Sequence, residues 1–264
     1  ITALQELLHL VDQHYYEETD NVALYHGAIA GYLSKLDPHS TYISPEALQD
    51  VQEKMWGSFE GIGIYFAVVD NYLTVLSPIE GSPAYQVGLL PGDRIVKIDG
   101  RSAIGIKEPD VMRKLKGKKG SRVLVTIQRD GEEEFLDYEI VRDKINIPSV
   151  PYAFKIDSDV GYVKLSRFSR HSSDELREVV EGLLDEDITK FILDLRGNAG
   201  GYLDQAVEVA DQFIEQGRLL VYTEGRYPNS REEHRSRRDP IIPSSMPLVI
   251  LVNSYSASAS EIVA

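Results

Sequence analysis

The spacing of hydrophobic positions changes twice along the chain. Near the amino terminus apolar residues recur every three or four positions, as at Leu4, Leu8 and Val11, which is the period of an amphipathic helix. Further helical runs follow, interrupted by a loop at 37–45 that begins with Asp-Pro. Residues 1–56 are therefore predicted to form a small helical region. Its apolar stripe serves either packing within the chain or formation of a homodimer.

Residues 57–145 show the two-residue alternation of β-strands, punctuated by glycine. Apolar side chains occupy every second position from Ile62 to Val68, as in a half-buried strand. The other elements are marked by Ser82-Pro83 at the start of a short helix, Gly117 at the end of a helix at 107–117, and Asp130-Gly131 in a hairpin. The pattern predicts a compact, barrel-like β domain with two helices.

In residues 146–264 strands alternate with helices. The runs VGYVKLSRF, KFILDLRGN, LLVYTEG and PLVILVN are typical of strands. They are separated by two helical runs, one capped by Ser172 or Ser173 and one that ends at Gly217. Residues 231–239 are so rich in charge that a surface loop is expected. Alternation of this kind predicts parallel βαβ units.

Composition narrows the range of functions. The 264 residues carry a formal net charge of −14, which disfavours nucleic acid as a partner. Because cysteine is absent, disulfides, thiol catalysis and cysteine-ligated metals are excluded. The sequence contains no HExxH zinc motif, no phosphate-binding GxxxxGK loop and no run of 18 apolar residues. It begins at Ile1 without a basic signal-peptide region, so a processed form is expected.

Two segments follow buried strands and precede helices. DLRGNAGG at 194–201 supplies a glycine turn, and NSYSASASEIVA at 253–264 places serines at the start of a helix. Sites gather at the carboxyl ends of parallel strands, where backbone N–H groups can stabilise an oxyanion beside a nucleophilic serine. The alternative is structural: a serine cap with close helix packing, a plain connecting turn, and an ion pair between Asp194 and Arg196.

The middle region resembles a PDZ domain in the segments FEGIGIYF and SPAYQVGLLPGDRIVKIDG. The resemblance implies that Gly61, Ile62, Gly63 and Ile64 bind the terminal carboxylate of a peptide, which then adds as a strand to the edge that follows. An ordinary β-bulge is the alternative interpretation of these residues. Four lysines near the predicted groove helix either attract the carboxylate or oppose the helix dipole: Lys114, Lys116, Lys118 and Lys119.

The order of the PDZ signature, DLRGNAGG and NSYSASASEIVA is similar to that of the carboxy-terminal processing peptidases, tail-specific serine proteases of family S41. The resemblance implies that Ser258 is the nucleophile. It implies that backbone N–H groups of Ala259 and of either Gly200 or Gly201 hold the oxyanion. The family's general base is a lysine downstream of the serine helix, in a stretch that is absent here. Since the chain stops at Ala264, inside the expected helix, we expect the protease core to be incomplete.

The same resemblance implies a multidomain α/β architecture: a helical region at 1–56, a PDZ-like β-barrel domain at 57–145 and a crotonase- or ClpP-like serine protease core at 146–264. It implies a bacterial, exported serine endopeptidase with a Ser–Lys dyad that cleaves proteins near their carboxyl termini. The PDZ domain would hold the free terminus, with apolar terminal residues favoured, and would gate activity. Neither a metal nor another cofactor is implied.

Two other interpretations remain open at the level of sequence. One is a PDZ-bearing peptide-binding protein with an inactive protease core, which the missing lysine favours. The other is a crotonase-like hydrolase of small acyl substrates, which the peptide-binding domain disfavours. A histidine in place of the lysine is not expected, because His171 and His234 are interpreted as solvated surface residues.

Overall fold

The computed structural model describes residues 2–264 and separates the chain into two compact units that divide after Gln52. The first unit is helical. Asp20 caps its second helix, since the carboxylate accepts hydrogen bonds from the backbone of Val22 and Ala23, each at 3.0 Å. The apolar stripe is only partly covered, and Leu4 is 46% exposed. The helices are α1 (Thr2–His14), α2 (Asn21–Leu33) and α3 (Pro45–Trp56), the last of which continues into the second unit.

The middle region is an antiparallel β domain with two helices. Its main sheet has the strand order β2-β3-β4-β6-β7, with β5 paired to β4, and a second pair joins β1 to β8. Strand β2 therefore lies at the edge of the main sheet. The elements are β1 (Ser58–Gly61), β2 (Ile64–Val69), β3 (Tyr72–Pro78), α4 (Pro83–Gln86), β4 (Arg94–Ile98), β5 (Arg101–Ser102), α5 (Glu108–Leu115), β6 (Arg122–Gln128), β7 (Leu136–Val141) and β8 (Asp143–Asn146).

The core of this domain follows from the alternation in its strands. Leu73 and Val75 are two positions apart in β3 and both are fully buried. Helix α5 places Val111 and Leu115 one turn apart against the same core. Each such side chain contributes about 1.5–3 kcal/mol on burial. The helix α4 begins after Ser82, as the sequence predicted, and Ser82 accepts a hydrogen bond from the Tyr85 backbone at 3.3 Å.

The last region contains a four-stranded sheet in the order β14-β11-β10-β9. Strands β10, β11 and β14 are parallel, as predicted, and β9 is antiparallel at one edge. Helices α6 and α7 pack their apolar faces on this sheet. The elements are β9 (Tyr152–Lys155), β10 (Val160–Lys164), α6 (Ser172–Leu184), β11 (Lys190–Asp194), α7 (Leu203–Asp211), β12 (Leu219–Thr223), β13 (Glu232–Arg235), β14 (Leu248–Leu251) and α8 (Ala259–Val263).

Four local predictions for this region were wrong. The run LLVYTEG does not join the parallel sheet but pairs with β13 in a separate hairpin, inside the stretch 231–239 that was expected to be a loop. Charged side chains are compatible with this strand because most of them face solvent. Helix α7 ends well before Gly217. Residue His171, rather than a serine, occupies the cap position of α6. In residues 2–264 we found no helix with the length and apolar character needed to cross a membrane.

Candidate active site

The two strand–turn–helix junctions lie side by side because β11 and β14 are neighbours in the sheet. Asp194 at the end of β11 is in register with Leu251 at the end of β14. The pairing continues one residue further, where the Leu195 backbone N–H donates to the Leu251 carbonyl at 2.8 Å. We name the first junction the glycine turn (194–201) and the second the serine turn (252–258). Both emerge at the carboxyl end of the parallel strands, where the sequence predicted a site.

Hydrogen bonds join the glycine turn to the serine turn. The Oδ1 atom of Asn253 accepts from the backbone N–H of Gly197 at 2.9 Å. The carbonyl of Asn198 accepts from the backbone N–H of Ala257 at 3.1 Å, and the Asn198 side chain donates to the Leu165 carbonyl at 3.0 Å. Asn198 is fully buried, so its polar groups need these partners. The two turns therefore form one hydrogen-bonded unit.

The four closely spaced serines differ in what their hydroxyls do. Ser256 donates to the Leu195 carbonyl at 2.8 Å, and Ser260 donates to the Asn198 carbonyl at 2.8 Å. Both hydroxyls thus hold the turns together. Ser254 is exposed within the serine turn.

Ser258 has an unusual backbone conformation. Its φ of 55° and ψ of −114° are disfavoured for a residue with a side chain. Such a conformation costs about 1–3 kcal/mol and persists only where the surrounding structure enforces it. Ser258 is exposed and sits at the cap position of α8, where its backbone N–H donates to Glu261 Oε2 at 2.6 Å. A sharp, strained strand-to-helix turn is a known way of presenting a nucleophilic serine hydroxyl.

Gly200 and Gly201, the two candidate oxyanion donors of the glycine turn, lie in tight contact with neighbouring backbone. A Cβ atom built on Gly200 would lie 2.8 Å from the Ala257 carbonyl oxygen and 2.9 Å from Ser258 Cβ. One built on Gly201 would lie 2.1 Å from the Phe168 carbonyl oxygen. The backbone N–H of Gly200 donates to Asn198 Oδ1 at 2.9 Å. Within residues 2–264, the N–H groups of Gly201 and Ala259 donate to no protein atom.

A buried carboxylate lies at the start of the glycine turn. The Asp194 side chain is 3% exposed and accepts from Tyr162 Oη at 2.7 Å and from Arg196 at 2.7 Å. Burial alone would raise the pKa of Asp194, but the hydrogen bonds from Arg196 and Tyr162 and the charge of Lys164 outweigh it and hold the pKa well below its usual range. Burial and the bond to Asp194 raise the pKa of Tyr162. The ion pair between Asp194 and Arg196, an alternative at the level of sequence, is therefore present.

No lysine or histidine among residues 2–264 donates to or accepts from the Ser258 hydroxyl through a hydrogen bond. His171 is exposed, as expected. His234 is not a solvated surface residue, because its Nε2 atom is buried and has no hydrogen-bond partner. In the same part of the chain, no group of three acidic, histidine or cysteine side chains could hold a metal ion.

The segment that the sequence assigned to a terminal carboxylate precedes the edge strand β2. We name residues 61–64 the carboxylate loop. Its Gly63 N–H donates to no protein atom within the described chain, whereas the Ile62 N–H lies in the antiparallel bridge that joins Gly61 to Lys116. Gly63 has φ +79°, and a Cβ atom there would lie 2.4 Å from Ser82 Cβ. Ser82 Oγ donates to the Gly63 carbonyl at 2.9 Å. The loop thus presents a free backbone donor beside the edge of an open strand, which suits a carboxylate.

Two of the four lysines near this loop are committed to ion pairs. Lys116 pairs with Glu53 at 2.5 Å, and both side chains are largely buried. Lys119 pairs with Asp143 at 2.5 Å. An opposing carboxylate cancels most of the field of each lysine, so Lys116 and Lys119 do not supply the steering charge considered for the groove.

Sequence comparisons show which proteins this chain is similar to. Residues 159–264 match the model of peptidase family S41, and residues 74–129 match that of a PDZ domain. The chain is 36% identical over 249 residues to the carboxy-terminal-processing protease of Bartonella bacilliformis, covering 93% of this chain and 56% of that protein. It is 36% identical over 252 residues to the carboxy-terminal processing protease CtpA of Bacillus subtilis, covering 95% and 53%. The chain belongs to peptidase family S41. It spans about half the length of these curated relatives.

Among solved structures, the photosystem II D1 C-terminal processing protease overlaps 99% of this chain and 76% of its own at 25% identity. The TM-score of this overlap is 0.43.

Within this S41 core, sequence reasoning missed the residues that hold the two turns. Asn198 and Asn253 lie in the quoted motifs, but only the structure shows that they join them. Tyr162 and Lys164 lie one strand away from Asp194 and were not considered. Their signal was the pair of polar side chains two positions apart in an otherwise apolar strand, VGYVKL, since such residues share one face.

Proposed function

We propose that the protein containing this chain is a serine endopeptidase that cleaves protein substrates near their carboxyl termini. The observation that carries the proposal is Ser258, an exposed serine in a strained backbone conformation beside a glycine turn. Strain of this kind is concentrated at functional sites. Membership of family S41 and the names of the relatives support the same reaction class.

The reaction follows from the groups around Ser258. Its Oγ attacks the scissile carbonyl, the hydroxyl proton passes to a general base, and the resulting oxyanion accepts backbone N–H bonds. The leaving amine takes a proton as the C–N bond breaks, and water then hydrolyses the acyl-enzyme. The family resemblance implies that the base is a lysine. We propose that this lysine lies outside residues 1–264, because no lysine of the described chain bonds Ser258.

We assign the oxyanion donors to Ala259 and Gly201. Both N–H groups are free of protein partners, whereas the Gly200 N–H is bonded to Asn198. Gly200 serves a different need, because its missing side chain lets the glycine turn approach Ser258. Removing one such donor typically lowers kcat by about a hundredfold to a thousandfold.

The carboxylate loop would hold the substrate's free terminus. Its Gly63 N–H is free of protein partners within residues 2–264 and immediately precedes the edge strand β2, where a peptide can add as a strand. The apolar residues Ile62, Ile64 and Phe66 belong to or pack on the domain core beside this edge, which favours apolar terminal residues.

We further propose that the PDZ domain gates the protease core. A connecting segment (53–61) contacts the PDZ domain and the protease core. Gly61 forms an antiparallel backbone bridge with Lys116 at the end of α5, and the Met55 carbonyl accepts a hydrogen bond from the Arg170 N–H at 3.2 Å. Two residues before Arg170, the Phe168 backbone N–H donates to the Gly200 carbonyl at 3.1 Å, and the Phe168 carbonyl accepts from the Tyr202 N–H at 2.9 Å. A shift of the connecting segment on peptide binding would therefore reach the glycine turn. Activation of cleavage by a second, uncleavable peptide with a free carboxyl terminus would support gating.

Two assignments concern the whole protein. The exposed apolar residues of α1, among them Leu4, Leu7 and Leu10, support assembly of a homodimer through the amino-terminal helices. Sedimentation of the protein with and without residues 1–52 tests this. An exported location is supported by the lack of cysteine and by the family resemblance, and cell fractionation tests it.

The deciding experiment uses the protein at the full length of its gene. Cleavage of an unfolded substrate with an apolar carboxyl terminus is followed beside the Ser258→Ala variant, and binding of the terminal peptide is measured for both. We expect loss of cleavage with unchanged binding. If neither protein cleaves while both bind, the protease assignment is wrong and the chain is a peptide-binding module on an inactive core.

A further inference from the structure

Arg196, the third residue of the glycine turn, is held on both sides by charged groups. Its backbone N–H donates to Asp194 Oδ1 at 2.8 Å, and its carbonyl accepts a hydrogen bond from Lys164 Nζ. Lys164 Nζ also lies 3.3 Å from Asp194 Oδ1. The conformation of the turn at this point therefore depends on one ion pair between neighbouring strands.

The sheet register places this ion pair at the carboxyl end of the parallel strands, the end from which both turns emerge. Lys164 ends β10 and lies directly opposite Asp194, which ends β11. Tyr162, two residues before Lys164 and on the same face, donates to the other oxygen of the same carboxylate. Both oxygens of the Asp194 carboxylate thus accept hydrogen bonds from the side chains of Tyr162, Lys164 and Arg196. These bonds hold the carboxylate in the orientation in which it also accepts from the Arg196 backbone N–H.

Stability alone is a weak explanation for this arrangement. Buried ion pairs often stabilise a fold no better than apolar residues of similar size, because desolvation offsets the attraction. Lys164 is 19% exposed and Asp194 3%, so the pair is largely desolvated. What apolar residues could not supply is a donor for the Arg196 carbonyl and an acceptor for its N–H.

The consequence reaches the oxyanion donor. The next residue, Gly197, is bonded to Asn253, and Gly200 and Gly201 follow within four positions. A donor N–H is effective only if it is fixed before the reaction, and displacements of about 1 Å can lower rates a hundredfold.

We propose that Lys164 and Tyr162 are positioning residues for catalysis: through Asp194 and the Arg196 carbonyl they fix the glycine turn in the conformation that presents the Gly201 N–H. They act through the turn and touch no substrate. This inference rests on the proposed protease function.

The test uses the full-length protein and a quenched peptide that ends in an apolar residue. For Lys164→Met we expect kcat to fall about tenfold to a hundredfold while KM stays within about twofold. Lys164→Arg should recover most of the loss, because arginine can donate to the same two acceptors. Tyr162→Phe, which removes one hydroxyl from the carboxylate, should lower kcat by a smaller factor, and it serves as the second variant if Lys164→Met does not fold.

The matched control is Lys190→Met. Lys190 pairs with Asp159 at 3.0 Å at the opposite end of the same strands, where both side chains are more exposed. It should leave kcat and KM unchanged. The pH dependence of kcat/KM in Lys164→Arg should match that of the unmodified protein. If the pH profile of Lys164→Arg were shifted, or if Lys164→Arg did not recover kcat, Lys164 would instead act as a base. Either result overturns the positioning role.

The inference also fails if Lys164→Met or Tyr162→Phe lowers the melting temperature but leaves kcat unchanged, since the cluster is then structural only. The parallel Ser258→Ala measurement separates this from the larger question. If the Ser258→Ala variant is inactive and the Lys164→Met variant is fully active, only the positioning role is wrong. If the Ser258→Ala variant is active, the protease assignment itself is wrong.

Discussion

The carboxylate loop and the glycine turn solve a similar problem by different means. Within residues 2–264, each leaves a backbone N–H without a protein partner: that of Gly63 in the carboxylate loop, and that of Gly201 in the glycine turn, with Ala259 beside it. The carboxylate loop is held by neutral contacts, since Ile62 is buried in the PDZ core and Ser82 donates to the Gly63 carbonyl. The glycine turn is held by a desolvated carboxylate with three donors.

The difference matches what each site receives. A peptide terminus arrives with its charge already formed, so a donor N–H in a packed loop is sufficient. An oxyanion forms only during the reaction, and donors contribute to rate only if they are fixed where that charge develops. The comparison predicts that changes in the two turns separate binding from chemistry.

The largest effect is expected for Gly201→Ala. The new Cβ would lie 2.1 Å from the Phe168 carbonyl oxygen, at a φ of +151° that side chains rarely allow. The turn or residue 168 must move, so we expect kcat/KM to fall about a thousandfold or more and the free energy of unfolding to fall by about 2–4 kcal/mol. Peptide affinity should be unchanged. Cleavage kinetics, thermal unfolding and fluorescence anisotropy measure the three quantities.

Gly197→Ala is the control for that variant. Gly197 lies in the same turn with φ +74°, but nothing lies within 4 Å of its added Cβ. The cost should be about 1–2 kcal/mol of backbone strain, with kcat/KM reduced only a few-fold. Equal losses in both variants would show that close contact with residue 168 is not what matters.

For Gly63→Ala we expect a smaller effect, which lowers peptide binding and leaves the reactivity of Ser258 unchanged. Its Cβ would lie 2.4 Å from Ser82 Cβ, so the carboxylate loop must shift and the Gly63 N–H loses its alignment. Hydrogen bonds to a charged group contribute about 1.5–3 kcal/mol, so peptide affinity should fall about tenfold to a hundredfold. Labelling of Ser258 by a small fluorophosphonate should continue at the original rate. Gly81→Ala, at φ +72° in open space, should leave affinity nearly unchanged.

Local pattern was sufficient to predict most elements of the fold. The alternation from Ile62, the Ser82-Pro83 helix start and the serine at the start of α8 are all local features, and the structure contains each of them. Gly201 and Gly200 could not be separated, because the bond from Gly200 to Asn198 is a matter of turn geometry.

Features that depend on distant pairing were not predictable. The positioning role proposed for Lys164 needs the register that sets it opposite Asp194, thirty residues later in the chain. The hairpin of β12 and β13 was missed for a related reason. Its second strand is so charged that only pairing with Leu219–Thr223 identifies it.

The smallest effect separates the serines that hold the turns from the one proposed to react. Ser260→Ala removes a buried hydroxyl that donates to the Asn198 carbonyl at 2.8 Å, but that carbonyl keeps its bond from the Ala257 N–H. We expect a loss of about 0.5–1.5 kcal/mol in unfolding free energy and a fall in kcat of only a few-fold. Ser254→Ala, at an exposed position, should change neither quantity measurably. If Ser260→Ala abolished cleavage while unfolding stayed normal, Ser260 would take part in the chemistry, and the assignment of Ser258 as the sole reacting serine would have to be abandoned.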